Sequence, residues 1–123
     1  MKFEGVYTPV ITPYNDDFSI DYKGLETVIE SLIKAGVHGL ILAGTTGEYY
    51  AQEKDIINDR VPLIIGTGAI RTEESIEYAE SAAKACADAI LVATPPYAVP
   101  TERENALHAL AIDRAANLPV MLY

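Results

Sequence analysis

The sequence predicts an α/β protein in which the strands of a parallel sheet alternate with longer helices. Three observations predict it. Five short apolar runs rich in β-branched or aliphatic residues recur along the 123 residues. None of them alternates polar with apolar positions, as expected of strands buried on both faces. Amphipathic stretches of helical period lie between them, which is the pattern of successive βα units.

The strands are expected at Val6 to Ile11, Gly39 to Ala43, Val61 to Ile65, Ala89 to Thr94 and Pro119 to Tyr123. Leu25, Val28, Ile29, Leu32 and Ile33 fall at helical spacing, and Gly36 follows where a left-handed C-terminal cap is wanted. Thr72 is placed to cap a second helix with Ile76, Ala79 and Ala83 on its inner face, small enough for close approach to a sheet. Thr101 to Glu104 has the Thr-x-x-Glu form of a capping box just after Pro100, with Leu107, Leu110 and Ala111 as the apolar stripe behind it. The crossovers at 12–37, 67–87 and 95–118 have 26, 21 and 24 residues, whereas 44–60 has only 17. That second crossover leaves room for about two helical turns, around Lys54 to Asn58.

Composition narrows the function. Eighteen acidic against nine basic side chains give a net charge of −9, a field that repels a phosphate backbone and an anionic membrane leaflet alike, so neither nucleic acid nor membrane is expected as a partner. The single cysteine, Cys86, excludes an intramolecular disulfide. With no apolar leader behind Lys2 and Glu4 and no apolar run of spanning length, a soluble cytoplasmic protein is expected.

In parallel βα folds ligands bind beyond the C-terminal ends of the strands. Those junctions read Thr12-Pro13-Tyr14, Gly44-Thr45-Thr46-Gly47-Glu48, Gly66-Thr67-Gly68, Thr94-Pro95-Pro96-Tyr97 and, last, Tyr123. At the second, backbone N–H groups and two hydroxyls flanked by glycines can converge on a small anion such as a carboxylate. A plain strand-exit turn whose threonines bond their own backbone is the alternative, and both readings stay open. The third begins like a dinucleotide fingerprint, but Arg71 replaces its last glycine and it follows the third strand, so no nucleotide site is expected. Tyr97 and Tyr123 carry phenols able to relay protons. A strand-end tyrosine ordinarily packs with its OH at the rim, so the case rests on pairing the two, with Thr45 between them. His38 and His108 are expected to be structural, and no metal-ligand spacing is present.

Taken in order, six blocks resemble the dihydrodipicolinate synthase and N-acetylneuraminate lyase family of pyruvate-dependent aldolases. They are Val6-Tyr7-Thr8-Pro9 with Thr12-Pro13-Tyr14, Gly36-Val37-His38-Gly39, Gly44 to Glu48, Gly66-Thr67-Gly68-Ala69, Thr94-Pro95-Pro96-Tyr97 and Leu118-Pro119-Val120-Met121-Leu122-Tyr123. The resemblance implies a TIM (β/α)8 barrel, of which residues 1–123 would be a partial domain holding about the first five βα units, with a shortened second crossover. It implies pyruvate bound as a lysine Schiff base and joined to an aldehyde such as aspartate semialdehyde, or the reverse cleavage, with no separate cofactor and no metal. Thr45 would relay protons, Thr46 with Thr45 and Gly47 would bind the pyruvate carboxylate, Tyr123 would stand near the imine, and Tyr97 would reach a neighbouring subunit's site. A homodimer or homotetramer is expected of the full-length protein. The Thr-Thr pair resembles the synthase branch. Another 2-keto acid aldolase of the sugar-acid or neuraminate lyase type, or a non-catalytic half-barrel binding a small carboxylate, is the alternative.

The departures are specific. The family's lysine lies on the sixth strand, beyond Tyr123, and none of Lys2, Lys23, Lys34, Lys54 or Lys84 falls at a strand's C-terminal end. The short second crossover implies a deletion between Gln52 and Lys54. Pro96 stands where a tyrosine is common, and Cys86 replaces a helix-ending glycine.

Overall fold

A computed structural model describes residues 3–43, 50–96 and 98–123, with side chains except at 43 and 50–53. Five strands, β1 (Tyr7–Pro9), β2 (Gly39–Ala43), β3 (Leu63–Gly66), β4 (Ala89–Val92) and β5 (Val120–Leu122), alternate with four helices, α1 (Tyr22–Lys34), α2 (Tyr50–Ile57), α3 (Thr72–Lys84) and α4 (Glu102–Ala116). The sheet is parallel throughout and ordered β1-β2-β3-β4-β5. Each strand adds to the edge left by its predecessor, and right-handed crossovers in one constant direction put every helix on the same face. That is the winding of a β/α barrel wall, whereas a doubly wound sheet reverses its strand order.

Prolines trim four of the strands. Pro9 ends β1, although Val10 N–H still reaches the Ile41 carbonyl at 2.9 Å. Pro62 and Pro119 stand just outside β3 and β5, giving only their carbonyls to Leu40 and Ile90, both at 3.0 Å, since neither has an N–H to donate. Thr94 precedes Pro95, and β4 stops at Val92.

Register separates the two sheet faces. Leu40 pairs with Leu63, Leu42 with Ile65, Ile65 with Ile90, Ile90 with Val120 and Val92 with Leu122. Through Val120 this row packs into the core with Leu25, Ile29, Ala79, Ala82, Ile112 and Ala116 of the helices. It is therefore the helix-facing side. The opposite row, Ile41, Ile64, Leu91 and Met121, faces the concave side. Ile64 is fully buried there without joining the helix-side core.

The helix ends follow local chemistry. Asp21 caps α1 by accepting from Gly24 N–H at 2.9 Å, and Gly36, at φ +83°, closes it as the sequence predicts. The capping box of α4 is formed: Thr101 Oγ1 accepts from Glu104 N–H at 3.3 Å, while the Glu104 carboxylate accepts from the Thr101 N–H and hydroxyl at 2.7 and 2.8 Å. Those two bonds, the backbone one first, hold the Glu104 carboxyl below its ordinary range. A depressed carboxylate stabilises the fold above its unfolded pKa and loses that contribution as pH falls through the folded value. Urea midpoints measured across the acid range should therefore fall less steeply in Glu104→Gln than in the native chain.

Three expectations are corrected. The N-cap of α3 is Arg71 rather than Thr72, and it makes no side-chain cap. Thr72 is the first helical residue, and its Oγ1 lies 2.9 Å from His108 Nδ1. On α3, Ala79 is fully buried and Ile76 packs half-buried against the core as expected, but the other buried positions are Ser75 and Ala82 rather than Ala83. In α4 they are His108, Ile112 and Ala116, while Leu107 and Leu110 are exposed. The reason is packing: α3 and α4 form the most extensive helix pair, and alanines together with a bonded Thr-His pair let them approach more closely than leucines would.

Cys86 takes the left-handed conformation (φ +57°) that ends α3, with Cys86 N–H on the Ala83 carbonyl and Ala87 N–H on that of Ala82, both at 3.1 Å. A side chain there costs about 1–2 kcal/mol, offset in part by the greater chain entropy of glycine. Cys86→Gly should raise the stability read from urea denaturation by about 0.5–1 kcal/mol.

The short second crossover is confirmed. Helix α2 has eight residues, against 13, 13 and 15 in its neighbours. Arg60 strengthens its end: its Nε and Nη2 bond the Ile57 and Ile56 carbonyls at 3.0 and 2.9 Å, and its Nη2 pairs with Glu30 of α1. Lys54 Nζ lies 2.7 Å from Asp59 and 3.7 Å from Asp88, whose Oδ2 also accepts from Leu63 N–H at 2.8 Å. The hydrogen bond to Asp59, then the charge of Asp88, push the Lys54 ammonium above its ordinary pKa against the opposing effect of burial.

Candidate active site

The C-terminal strand ends lie level with one another. Ala43 pairs with Gly66, Gly66 with Leu91, and Val92 with Leu122, so the C-terminal ends of β2, β3, β4 and β5 line up along one rim. At that rim Thr67 is fully buried, and both its N–H and its Oγ1 donate to the Leu91 carbonyl, at 3.0 and 3.3 Å. These bonds tie the exit of β3 to β4. A Cβ on Gly68 would lie 3.7 Å from that of Ala93, an ordinary contact, so this glycine keeps the rim low without being sterically required.

Of the residues predicted for chemistry, the structure places Tyr123 at the rim. Its N–H donates to the Val92 carbonyl at 3.0 Å, extending the β4–β5 ladder one step, and its side chain is 88 % exposed. It stands two positions beyond Met121, so strand alternation assigns it to the concave side of the sheet. Thr45, Thr46, Gly47 and Tyr97 lie outside the described residues.

The other titratable groups are used structurally. His38 Nδ1 accepts from Val6 N–H at 3.0 Å while His38 N–H donates to the Val6 carbonyl at 2.8 Å, lengthening the β1–β2 pairing at the N-terminal edge, the far end from the rim. Its ring lies over Gly5, where a Cβ would come within 2.3 Å of Cγ at a φ of +104°. His108 is buried between α3 and α4. Lys54 is held at the N-terminal ends of β3 and β4 through Asp88. Lys23 and Lys34 belong to α1 and Lys84 to α3, so among the described residues no lysine stands at the rim. Among them, too, no three His, Cys, Asp or Glu side chains gather as metal ligands would, and no helix is long and apolar enough to cross a membrane.

Sequence reasoning missed one feature. A cavity of about 170 Å³ lies between β4, β5 and α4, lined by residues that include Val92, Thr94, Asn105, Ala106, His108 and Leu122. Asn105 and Ala106 carry no motif, and the apolar spacing of α4 points instead to Leu107 and Leu110.

The comparisons with known proteins agree with this architecture. A family model described as the dihydrodipicolinate synthetase family matches residues 2–123. The 4-hydroxy-tetrahydrodipicolinate synthase of Bacillus subtilis is 38 % identical over 134 aligned positions, covering 100 % of this chain and 46 % of the relative. Because 134 positions exceed the 123 residues present, the relative carries residues that this chain lacks. The synthase of Methylacidiphilum fumariolicum superposes with a TM-score of 0.92 at 30 % identity, over 99 % of this chain and 44 % of that one. A prophage protein of the dihydrodipicolinic acid synthase family from E. coli K12, solved with pyruvate, superposes with a TM-score of 0.91 at 34 % identity, over 98 % of this chain and 44 % of its own. The chain thus spans a little under half the length of the relatives it matches.

Proposed function

The chain belongs to the dihydrodipicolinate synthetase family, and from that premise we propose that residues 1–123 form the first five β/α units of a lyase barrel. That lyase condenses pyruvate, held as a Schiff base on a lysine, with an aldehyde such as aspartate semialdehyde, or runs the reverse cleavage. The observation that carries the reading is the family match over residues 2–123, together with strand ends that meet at a single rim.

In this reading Thr46, with Thr45 and Gly47, binds the pyruvate carboxylate. Thr45 and Tyr123 pass protons to and from the imine, and Tyr97 completes the relay from a second subunit of a homodimer or homotetramer in the cytoplasm. The iminium serves as an electron sink, so loss of a methyl proton gives the enamine that attacks the aldehyde. The family resemblance implies that the lysine lies on a sixth strand, and the described lysines, Lys23, Lys34, Lys54 and Lys84, occupy helices instead.

The test is reductive trapping in a barrel completed by joining residues 1–123 to the portion of the Bacillus subtilis relative beyond the match. Imine formation expels water, and borohydride then delivers hydride to the imine carbon. Mass spectrometry should find one pyruvate-derived adduct on one lysine of the completed barrel and none on residues 1–123 alone. Absence of the adduct in the completed barrel overturns the reading, and so does an adduct on Lys23, Lys34, Lys54 or Lys84.

A further inference from the structure

Between β1 and α1 the chain forms an ordered hairpin with an aromatic residue at its tip. Tyr14 and Ile20 make an antiparallel bridge, and the N–H groups of Asn15 and Phe18 close the loop onto the Ser19 and Asn15 carbonyls at 2.8 and 2.9 Å. The Asn15 side-chain amide adds bonds to the Ser19 hydroxyl and the Ile20 carbonyl at 3.0 and 3.3 Å. Asp21 N–H on the Pro13 carbonyl, at 3.0 Å, ties the base together. Because the segment leaves the C-terminal end of β1, it stands on the rim side of the parallel sheet.

Phe18 does nothing there for the fold. Its φ of +66° lies in the left-handed region that glycine takes freely and a bulky side chain takes at a cost. The residue is 87 % exposed, so burial does not offset that cost. Among the described residues Phe3 and Tyr7 make a ring pair, and Phe18 joins none. A strained backbone carrying an exposed aromatic ring on a hydrogen-bonded loop points to binding instead of folding.

Charge states what fits. Asp16 and Asp17, immediately before Phe18, are both exposed. Asp17 Oδ1 accepts from the Ser19 hydroxyl and from the Ser19 N–H, and these two bonds, the hydroxyl's first, hold the Asp17 carboxyl below its ordinary range. A fixed carboxylate next in sequence to an exposed ring suits a guanidinium, which pairs with the one and stacks on the other. A second copy fits less well, because each brings a net charge of −9 and like charges oppose close pairing. The same field opposes an anionic membrane.

We propose that the hairpin of residues 14–20 is an interaction site for an arginine-bearing segment of a partner protein. Phe18 is its stacking anchor, and Asp16 and Asp17 supply the paired charge. The site goes beyond the lyase reading and does not rest on it.

Titration with acetyl-Arg-Leu-Arg-amide, followed by NMR on residues 1–123 and on the completed barrel, tests it. The peptide should shift the backbone amides of residues 15–19 in both proteins, and its lysine counterpart should bind more weakly. Phe18→Leu, which keeps an apolar side chain and removes the ring, should weaken binding about two- to fivefold, the share of an exposed cation–π contact. Asp16→Asn should weaken it as well. Phe18→Gly should lose the same affinity while raising the urea midpoint, because glycine accepts the backbone conformation without strain. Equal binding by Phe18→Leu and the native chain marks a diffuse attraction to the acidic surface and overturns the proposal. So does a lowered urea midpoint in Phe18→Gly, which assigns the ring to the fold. A dimer in sedimentation that Phe18→Gly dissociates assigns the hairpin to a second copy, and binding lost in the completed barrel assigns it to the rest of the chain; either overturns the proposal.

Discussion

Tyr123→Phe is expected to lower kcat of the completed barrel about 10²- to 10⁴-fold, the usual contribution of a positioned proton-transfer group. On the proposed reading the pyruvate concentration for half-maximal rate should change little, because the hydroxyl removed is the one assigned to proton transfer, whereas carboxylate binding is assigned to Thr46 with Thr45 and Gly47. The position suits the role: the backbone of Tyr123 is fixed to β4 by the bond to Val92, so the phenol is carried on an ordered ladder instead of a loose loop. Steady-state kinetics of the two proteins decide the matter, and unchanged turnover removes Tyr123 from the relay.

Truncating Ile112 to alanine should destabilise residues 1–123 by about 2–5 kcal/mol, a large share of the roughly 5–15 kcal/mol that holds a domain folded. Ile112 is fully buried and joins α4 to the helix-side core. Leu107→Ala, one turn earlier and 55 % exposed, should cost no more than about 0.5 kcal/mol. Paired urea titrations separate the two faces of α4. Were Leu107 the inner residue, as its spacing with Leu110 and Ala111 implies, the order of the two effects would reverse.

That pair shows what could be read in advance. The alternation of βα units, the five strands, the Gly36 cap, the Thr101–Glu104 box and the short second crossover were all legible, because each follows from local propensity or chain length. The inner face of α4 was not. Apolar periodicity reports which positions favour burial without saying against what. Leu107 and Leu110 are exposed, while the α3–α4 contact is made by alanines and the Thr72–His108 pair. The same limit applied to α3, whose cap passed to Arg71 once the Thr72 hydroxyl was engaged by His108. At the rim, motif order led to the family and to Tyr123 at the end of β5, whereas the cavity beside α4 left no trace in the sequence because small side chains and a sheet edge form it.

The strictly sequential strand order bears on how such a barrel is made. Among these five strands each hydrogen-bonds to the one immediately before it in the chain, so of the pairings of a closed barrel only the one that joins the first strand to the last waits for a distant segment. Synthesis delivers about 5–20 residues per second, so each new strand meets a partner that has already left the ribosome. The wall can therefore assemble unit by unit as it leaves the ribosome, with β5 briefly the growing front. The apolar residues at that front, Leu122 and Tyr123, are then what a chaperone would meet first.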